Sequence, residues 1–299
     1  MNTNSSDQIF VSVIIPTYLD WGRLAECLNS LSKQTYDSNL FEIIVINNAP
    51  NDERPPYLTV PINCLVLNES KSGSYAARNR GIQMAKGEII AFTDSDCIPD
   101  PNWIKNAVNL FSICDCDRIG GRIDLFYRSK ILNSAELYEK IYAFKQDQSV
   151  KASSSAVTGN MFTYRKVFDK IGFFNEKMLS GGDHEWAKRA AIAGFEIIYG
   201  KDVVVKHPAR NNIKQLKMKA KRVAGGRVLD RKKGKIRAIL RLILAFIPKF
   251  RSIYSNLNAY GSDLSCFDKT KVFLVKYYLN IVSATEELLI FFGKKSLRQ

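Results

Sequence analysis

The sequence predicts an α/β fold in which one Rossmann-like, mostly parallel sheet has helices on both faces and is followed by a basic, amphipathic helical extension. Short β-branched runs are apolar on both faces, which is typical of strands buried in a parallel sheet. Segments with helical spacing alternate with these runs. From about residue 211 the composition turns basic. We therefore expect one domain over 1–210 and a helical extension over 211–299.

In the first half, strands and helices alternate. The predicted strands are 11–16, 41–46, 64–67 and 88–93, and the predicted helices are 19–32 and 74–85. In the second half the predicted strands are 118–125, 157–164, 196–199 and 203–206, with a helix at 183–193 that ends at Gly194. Apolar segments with interspersed charges follow at 236–250 and 271–292.

The net charge of +15 is concentrated in one segment. Residues 206–251 contain 16 Lys or Arg and one acid, Asp230, so the rest of the chain sums to zero. A local positive field predicts a docking surface for an anionic partner. Aromatic residues for base stacking are nearly absent from 206–244, so we expect no nucleic acid.

The expected anionic partner is a membrane surface, contacted through residues 206–292. The segment 236–250 is too short to span a bilayer, which needs about 20 residues. The segment 271–292 is long enough, but Lys276, Glu286 and Glu287 favour an amphipathic interfacial helix. The alternative is that both segments pack on the protein or on a second subunit, so an oligomer stays possible.

Two further features concern the compartment. The six cysteines lack a CxxC pair, which indicates reduced, structural thiols. Residues 1–8 are polar and show no secretory signal. We therefore expect a cytoplasmic protein, peripheral on the inner face of the membrane.

The residues that carry chemistry follow the strands, because ligands of parallel sheets bind beyond the carboxyl ends of the strands. Asp94-Ser95-Asp96 follows one strand and has the oxygen ligands that a hard divalent cation prefers. A solvated turn is the alternative for this motif. Thr17-Tyr18 and Asn47-Asn48 follow two other strands and should face the same crevice.

The second half of the sequence contains further candidate functional residues. Asp183-His184-Glu185 opens a predicted helix, where an acid can project into a cleft or simply cap the helix. His207 ends a short strand and is either a ligand or an ordinary hydrogen-bonding histidine. Gly225 and Gly226 lie among basic residues and form either a flexible flap over a diphosphate or part of a solvated helix.

Over residues 11–207 the order of these motifs resembles the family 2 glycosyltransferases, which have the glycosyltransferase-A fold. The matching motifs are Val13-Ile-Ile-Pro-Thr-Tyr18, Glu42-Ile-Ile-Val-Ile-Asn47, Ser74-Tyr-Ala-Ala-Arg-Asn-Arg-Gly81, Asp94-Ser-Asp96, Gly159-Asn160-Met161, Ile171-Gly-Phe-Phe174 and Gly182-Asp-His-Glu185. The resemblance implies an inverting enzyme that moves a sugar from a nucleoside diphosphate sugar to a hydroxyl of a saccharide or lipid-linked acceptor. Cell-envelope polysaccharide biosynthesis is the expected setting.

The resemblance also implies a role for each site residue. Asp183 would be the general base, and Asp96 and His207 would hold Mn²⁺ or Mg²⁺. The substrate-binding residues would be Pro16, Thr17, Tyr18, Asn48, Arg78, Asn79, Asp94, Ser95, Asn160, Glu185 and Trp186.

Two departures from the family pattern bear on these roles. Asn47-Asn48 stands where the family more often has an acid that contacts the base, so these residues permit uracil recognition without favouring it. A UDP-sugar is still the first expectation, with GDP and dTDP as alternatives. Gly182 replaces the first acid of the usual acidic pair, so Asp183 is preferred over Glu185 as the base. A nucleotidyltransferase and a non-catalytic nucleotide-binding module are the competing interpretations.

Overall fold

The computed structural model describes residues 9–178, 180–230 and 235–294, without the side chains of 229, 230 and 235–238. The predicted polar N-terminus, residues 1–8, lies outside the described residues. The chain forms two compact units. The first comprises Met1–Asp124, Phe144–Lys177 and Gly182–His207, and the second comprises Leu125–Ala143, Met178–Gly181 and Pro208–Gln299. The second unit therefore includes pieces from the first half of the chain.

Eight strands form one mixed sheet. They are β1 (Val11–Thr17), β2 (Phe41–Asn47), β3 (Cys64–Asn68), β4 (Ile89–Thr93), β5 (Ile98–Pro99), β6 (Arg118–Phe126), β7 (Asn160–Tyr164) and β8 (Ile197–Pro208). Their order is β3-β2-β1-β4-β7-β6-β8-β5. The first four strands in this order pair in parallel, whereas β7 pairs antiparallel with β4 and β6, and β5 with β8. The predicted α/β fold with helices on both faces of the sheet is confirmed.

Eleven α-helices are described, together with a short 3-10 helix at Ser38–Leu40. The α-helices are α1 (Trp21–Leu31), α2 (Ser74–Met84), α3 (Trp103–Ile113), α4 (Ser134–Tyr142), α5 (Gln146–Ser153), α6 (Arg165–Ile171), α7 (Gly182–Ile192), α8 (Ile213–Asp230), α9 (Lys235–Ala245), α10 (Phe250–Tyr260) and α11 (Cys266–Phe291). Helix α1 buries Leu24, Cys27, Leu28 and Leu31, which recur at helical spacing against the sheet.

In the second unit α4, α8, α10 and α11 bury apolar side chains such as Leu137, Leu216, Leu257 and Val275. The sequence analysis did not predict α4, although Asn133 begins it with a complete capping box to Glu136. It also treated 236–250 as one segment, which the structure divides between α9 and α10.

Four acids of the second unit are almost completely buried: Glu136, which caps α4, and Glu139, Glu286 and Glu287, which pair with cations. Glu139 is 0% exposed and lies 3.1 Å from both the Arg210 guanidinium and the Lys219 ammonium. Burial by itself would raise the pKa of Glu139, but Lys219 and Arg210 outweigh it, so the pKa lies below its ordinary value. Because its neighbours neutralise it, Glu139 stays a buried carboxylate.

Glu286 and Glu287 of α11 face inward, which corrects the expectation that the charges of 271–292 form the polar face of an interfacial helix. Glu286 accepts a hydrogen bond of 2.8 Å from Lys294. Glu287 pairs with Arg241 and lies 3.7 Å from Arg227. Part of the positive charge between 206 and 251 is therefore neutralised inside the second unit.

Of the two alternatives for Gly225 and Gly226, the structure has the helix rather than the flap, but the helix is not solvated at these positions. Both glycines are buried within α8. A Cβ atom at Gly226 would lie 2.2 Å from the carbonyl oxygen of Ser180. The pair therefore allows close packing of a helix.

Within the described residues, no helix combines the length and the apolar character that crossing a bilayer requires. All six cysteines are free, as the missing CxxC spacing predicts.

Candidate active site

The carboxyl ends of the parallel strands bring the predicted polar residues to one edge of the sheet. Thr17 at the end of β1 is in register with Asn47 at the end of β2. The next residue after β4 is Asp94, which starts a tight turn closed by a 3.1 Å hydrogen bond from the Cys97 amide to the Asp94 carbonyl. The carboxylates of the Asp-Ser-Asp motif therefore lie in this turn at the strand end.

Asp94 is held from one side. Arg78 of α2 is buried and donates a 2.5 Å hydrogen bond from Nη2 to Asp94 Oδ1. About a third of the Asp94 side chain, 34%, stays exposed. A Cβ atom at Gly159 would lie 3.3 Å from Asp94 Oδ2, so the glycine leaves space beside this oxygen. Asp94 is thus oriented by Arg78 and still presents an oxygen to a ligand.

Asp96 and His207 lie together. β5 pairs with β8 so that Ile98 is opposite Lys206, which brings His207 next to the turn that contains Asp96. His207 Nε2 lies 3.6 Å from Asp96 Oδ1. The histidine ring is buried and packs against Phe144 at 4.5 Å between ring centroids.

This pair fits a divalent metal ion. Ligand atoms bound to one ion at roughly 2.0–2.2 Å are separated by at most about 4.4 Å, and the Asp96–His207 distance lies within that limit. Cys97 is the third residue of this cluster, whose ligand atoms all lie within 4.8 Å of one another. Burial, then the charges of Asp94 and Asp96, raise the pKa of the Cys97 thiol well above its ordinary value. The donors that suit an ion here are therefore one carboxylate and one imidazole.

Two residues beside Asp96, Asp20 and Arg23, were not among the predicted site residues. Arg23 of α1 lies 3.2 Å from Asp96 Oδ2 and 2.8 Å from Asp20 Oδ2. Ser95 also donates to Asp20 over 3.3 Å. Asp20 and Arg23 are close in sequence, but nothing in the sequence links them to Asp96, which is 73 positions from Arg23.

Asp183 lies in the first turn of α7 and is 8% exposed. Its Oδ1 accepts hydrogen bonds from the Tyr75 hydroxyl at 3.1 Å and from the His184 amide at 3.0 Å. Burial and then the charge of Asp183 raise the pKa of Tyr75, so its hydroxyl keeps the proton that it donates. Among the described residues Asp183 Oδ2 has no hydrogen-bond partner.

A close contact explains why the position before Asp183 is a glycine. A Cβ atom at Gly182 would lie 2.7 Å from the Tyr75 ring. The Arg78 guanidinium lies 5.7 Å from the centre of the same ring. Contacts therefore run without a break from Asp94 through Arg78 and Tyr75 to Asp183, which places both predicted carboxylates around one side of α2.

Three of the predicted asparagines form side-chain hydrogen bonds with backbone groups. Asn48 donates to the carbonyls of Glu69 and Lys71 and accepts from the Gly73 amide. Asn79 bonds to both backbone groups of Phe174. These two amides shape the loops on either side of α2.

Asn160 is the third and is 0% exposed. It accepts from the Trp103 indole at 2.9 Å and donates to the carbonyls of Arg122 and Val203 at 2.8 and 2.9 Å. A Cβ atom at Gly121 would lie 2.4 Å from the Asn160 amide. Asn160 therefore joins three strands and a helix below the site.

The remaining predicted residues differ in exposure. Tyr18 is 46% exposed, Pro16 is half-buried, and Thr17 is buried with an Oγ1 that has no partner among the described residues. Glu185 forms two hydrogen bonds with Arg189, at 2.8 and 3.1 Å.

Trp186 is 0% exposed and stacks on Phe168 at 4.5 Å, so it presents no surface to a ligand in this conformation. The structure thus brings together Asp94, Asp96 and His207, and connects them to Asp183, while Asn160 and Trp186 lie in the core.

Comparison with known proteins gives a consistent result. The family described as glycosyl transferase family 2 matches residues 12–172. The glycosyltransferase AglE of Haloferax volcanii is 34% identical over 251 residues, which cover 80% of this chain and 82% of that protein.

Two solved structures share the fold, although each is only 18% identical. The mannosyltransferase PcManGT from Pyrobaculum calidifontis, in complex with GDP-Man and Mn²⁺, aligns with a TM-score of 0.55 over 97% of this chain and 77% of that one. TarS 1-349 of S. aureus, in complex with UDP, aligns with a TM-score of 0.53 over 96% and 92%. The predicted glycosyltransferase-A fold is confirmed, and the chain belongs to glycosyl transferase family 2.

Proposed function

We propose that the protein transfers a sugar from a nucleoside diphosphate sugar to an acceptor hydroxyl with inversion at the anomeric carbon. The observation that carries the proposal is the pair of oriented carboxylates, Asp94 and Asp183, connected through Arg78 and Tyr75. One carboxylate lies beside the Asp96–His207 pair, where a diphosphate can be neutralised. The other has an oxygen without a partner among the described residues, as a proton acceptor needs.

On the donor side, Pro16, Thr17 and Tyr18 would line the nucleotide pocket, and Arg78 and Asp94 would hold the ribose and sugar. The exposed Tyr18 ring and the unpartnered Thr17 hydroxyl favour this role. Ser95 would act with them.

Several predicted substrate-binding residues would instead position others. Asn48 and Asn79 would fix the loops beside α2, and Asn160 the sheet below. Glu185 and Trp186 would hold α7 and hence Asp183. Their substitution should therefore lower stability together with activity.

Asp96 and His207 would hold a divalent cation. A bound cation supplies positive charge that stabilises the departing nucleoside diphosphate. A mixed carboxylate and imidazole pair suits Mn²⁺ better than Mg²⁺, which prefers oxygen ligands throughout. PcManGT in complex with Mn²⁺ has the same fold.

Asp183 would remove the proton from the acceptor hydroxyl as its oxygen attacks the anomeric carbon. The new glycosidic bond forms while the bond from that carbon to the diphosphate oxygen breaks, so the proton goes to the carboxylate and the electron pair to the diphosphate. Attack opposite the leaving group inverts the configuration. General base catalysis of this kind typically contributes 10²–10⁴ in rate.

The donor can be identified by thermal unfolding of the protein with UDP, GDP, CMP or dTDP, each with and without Mn²⁺. A ligand at 100 times its dissociation constant should stabilise the fold by about 2.7 kcal/mol, which is a shift of several degrees. We expect a metal-dependent shift with one nucleotide, UDP being tested first, and no such shift in Asp96→Ala.

Two results would contradict the proposal. No shift with any nucleotide in folded protein would indicate a chain without a donor site. Release of pyrophosphate instead of a nucleoside diphosphate would indicate a nucleotidyltransferase, which attacks phosphorus.

We also propose that the second unit contacts an anionic membrane, which would make a lipid-linked saccharide a natural acceptor. Eight apolar residues of α9, α10 and the turn between them are each 42–67% exposed, and the exposed cations Lys249 and Arg251 lie beside them. The apolar side chains are Ile239, Leu240, Ile243, Leu244, Phe246, Ile247, Phe250 and Tyr254.

Exposed apolar residues flanked by lysine and arginine favour insertion at a lipid interface. Sedimentation with vesicles of phosphatidylcholine, with and without phosphatidylserine, tests this association. Binding that is equal with and without the anionic lipid, or absent in both, would contradict it.

A further inference from the structure

A cavity of about 800 Å³ lies inside the second unit. Side chains of α4, α8, α9, α10 and α11 line it. Its volume is in the range of pockets that hold small ligands, 300–1,000 Å³. None of the carboxylates assigned to sugar transfer lines it, so the cavity is a separate feature of the molecule.

The wall of the cavity combines apolar side chains with an excess of positive charge. Leu216, Val223, Ile253 and Leu279 are among the apolar residues. The charged residues in the wall are Lys219, Arg227, Arg241, Lys249, Lys276, Glu139 and Glu287. Five cations against two acids leave a charge of +3.

Three of the cations have an acid beside them. Lys219 lies 3.1 Å from Glu139, and Arg227 and Arg241 share the carboxylate of Glu287. Neither Lys249 nor Lys276 forms an ion pair with any acid in the part of the chain that is described. Two of the three excess charges therefore belong to these lysines, and the third remains because two arginines share one carboxylate.

Lys276 is the less exposed of the two, and its surroundings are unusual for a cation. Burial, then the charges of Arg227 and Lys249, lower its pKa. Its ammonium lies 4.7 Å from the centre of the Tyr142 ring. The Tyr142 hydroxyl is itself buried and has no hydrogen-bond partner among the described residues.

The wall of the cavity thus holds two neighbouring lysines, Lys276 and Lys249, without an acid of their own. A donor without a partner is unfavourable when it is buried, and more so when it is charged. An anion with several acceptor oxygens would satisfy both donors, and phosphate has that chemistry.

The apolar part of the ligand follows from the cavity wall. Leu244 and Ile247 line the cavity and are also 55% and 61% exposed. They belong to the exposed apolar surface of α9 and α10, so the cavity is continuous with it. A free phosphate would leave this wall without a contact.

We propose that the cavity binds the phosphate of an anionic lipid, with Lys276 and Lys249 donating to its oxygens and the hydrocarbon chain lying along Leu244 and Ile247. The inference goes beyond sugar transfer, and it rests on the proposed membrane association only for access to the lipid.

Isothermal titration calorimetry of the full chain with dihexanoyl phosphatidic acid, below the concentration at which this lipid forms micelles, tests the proposal without a membrane. Lys276→Gln should weaken binding at least tenfold, because a charge-assisted hydrogen bond is lost. Lys249→Gln should weaken it about fivefold, a smaller effect because Lys249 is the more exposed of the two lysines. Lys269→Gln makes the same charge change on α11 outside the cavity and should bind like the wild type.

The proposal would be overturned by equal affinity in the wild type and in a Lys276→Gln protein that unfolds at the wild-type temperature. Inorganic phosphate binding as tightly as the lipid would also overturn it, because the apolar wall would then contribute nothing. Vesicle sedimentation separates the two proposals. Sedimentation without binding of the short-chain lipid would refute the cavity alone, whereas the reverse would refute the membrane association alone.

Discussion

The two units of the molecule hold their buried acids differently. In the first unit the proposed functional acids keep part of their side chains accessible: Asp94 is 34%, Asp96 20% and Asp183 8% exposed. In the second unit the inward-facing acids are covered: Glu139 is 0%, Glu286 1% and Glu287 4% exposed. Each of these three acids has two cations beside it.

This difference separates two uses of the same functional group. An acid whose oxygens are all neutralised internally stabilises the fold, and breaking such a pair leaves a buried charge. An acid with an oxygen left over can act on a ligand. The comparison therefore predicts that substitutions in the two units will have separate effects, one on catalysis and the other on stability.

The largest expected effect is that of Asp183→Asn on sugar transfer. The amide can still accept the Tyr75 hydrogen bond but cannot take a proton, so kcat should fall by about 10²–10⁴. Steady-state kinetics with the donor found by thermal unfolding would measure this. Glu185→Gln, in the same helical turn, keeps an oxygen that can accept from Arg189 and is the matched control. It should lose activity only as far as it loses folded protein, much less than Asp183→Asn.

If Asp183→Asn left the rate unchanged, Asp183 would not be the base. The family's sugar transfer would then need another proton acceptor, and the non-catalytic interpretation would gain support if the wild type were also inactive.

The next effect is that of Glu139→Gln on stability. Removal of the charge leaves the Arg210 and Lys219 cations without their carboxylate, and we expect a loss of about 2–3 kcal/mol in the free energy of unfolding. Urea denaturation measures this loss. Asp263→Asn removes an exposed carboxylate from Lys140 and should be close to the wild type. Equal stability of the wild type and Glu139→Gln would contradict the comparison.

The same acid predicts a dependence on pH. The pKa of Glu139 is lower in the folded than in the unfolded protein, where it is near the ordinary 4.5. Its contribution to stability is therefore fully present above about pH 4.5 and is lost as the pH falls through the folded value. Unfolding free energies measured between pH 6 and pH 3 should fall more steeply for the wild type than for Glu139→Gln. Parallel curves would show that Glu139 contributes nothing to acid sensitivity.

The smallest effect should come from Arg23→Gln, because the difference between the acids of the two units is small at Asp96. Asp96 also has a neighbouring cation, but Arg23 is 56% exposed and such pairs contribute at most about 1 kcal/mol. Because Arg23 competes with a metal for Asp96, its removal should strengthen metal-dependent nucleotide binding by up to about fivefold. Weaker binding in this variant would instead indicate that Arg23 contacts the donor.

The first half of the fold was predictable because its signals are local. Strands β1, β2, β3 and β4 are short apolar runs, and the polar residues that follow them were expected at one edge of the sheet. The antiparallel half was harder, because β5 has two residues and β8 reads as two short runs rather than one strand.

The residues that would carry the chemistry were predicted better than the residues that position them. Asp96 and His207 were expected to act together, and β5 and β8 bring them to 3.6 Å. The link from Tyr75 to Asp183 spans 108 positions, and no local pattern encodes it. The sequence also did not reveal that Glu286 and Glu287 face inward, because their cations come from other parts of the chain.

A last consequence concerns how mutational screens of this protein should be interpreted. Asn160 donates to two carbonyl oxygens and accepts from an indole, so in Asn160→Asp a carboxylate oxygen would face the two carbonyls. Little soluble Asn160→Asp protein should accumulate in cells. A screen that measures product per culture would therefore give this variant a score as low as that of Asp183→Asn. Dividing the product by the quantity of folded protein would separate a chain that fails to accumulate from one that accumulates and does not turn over.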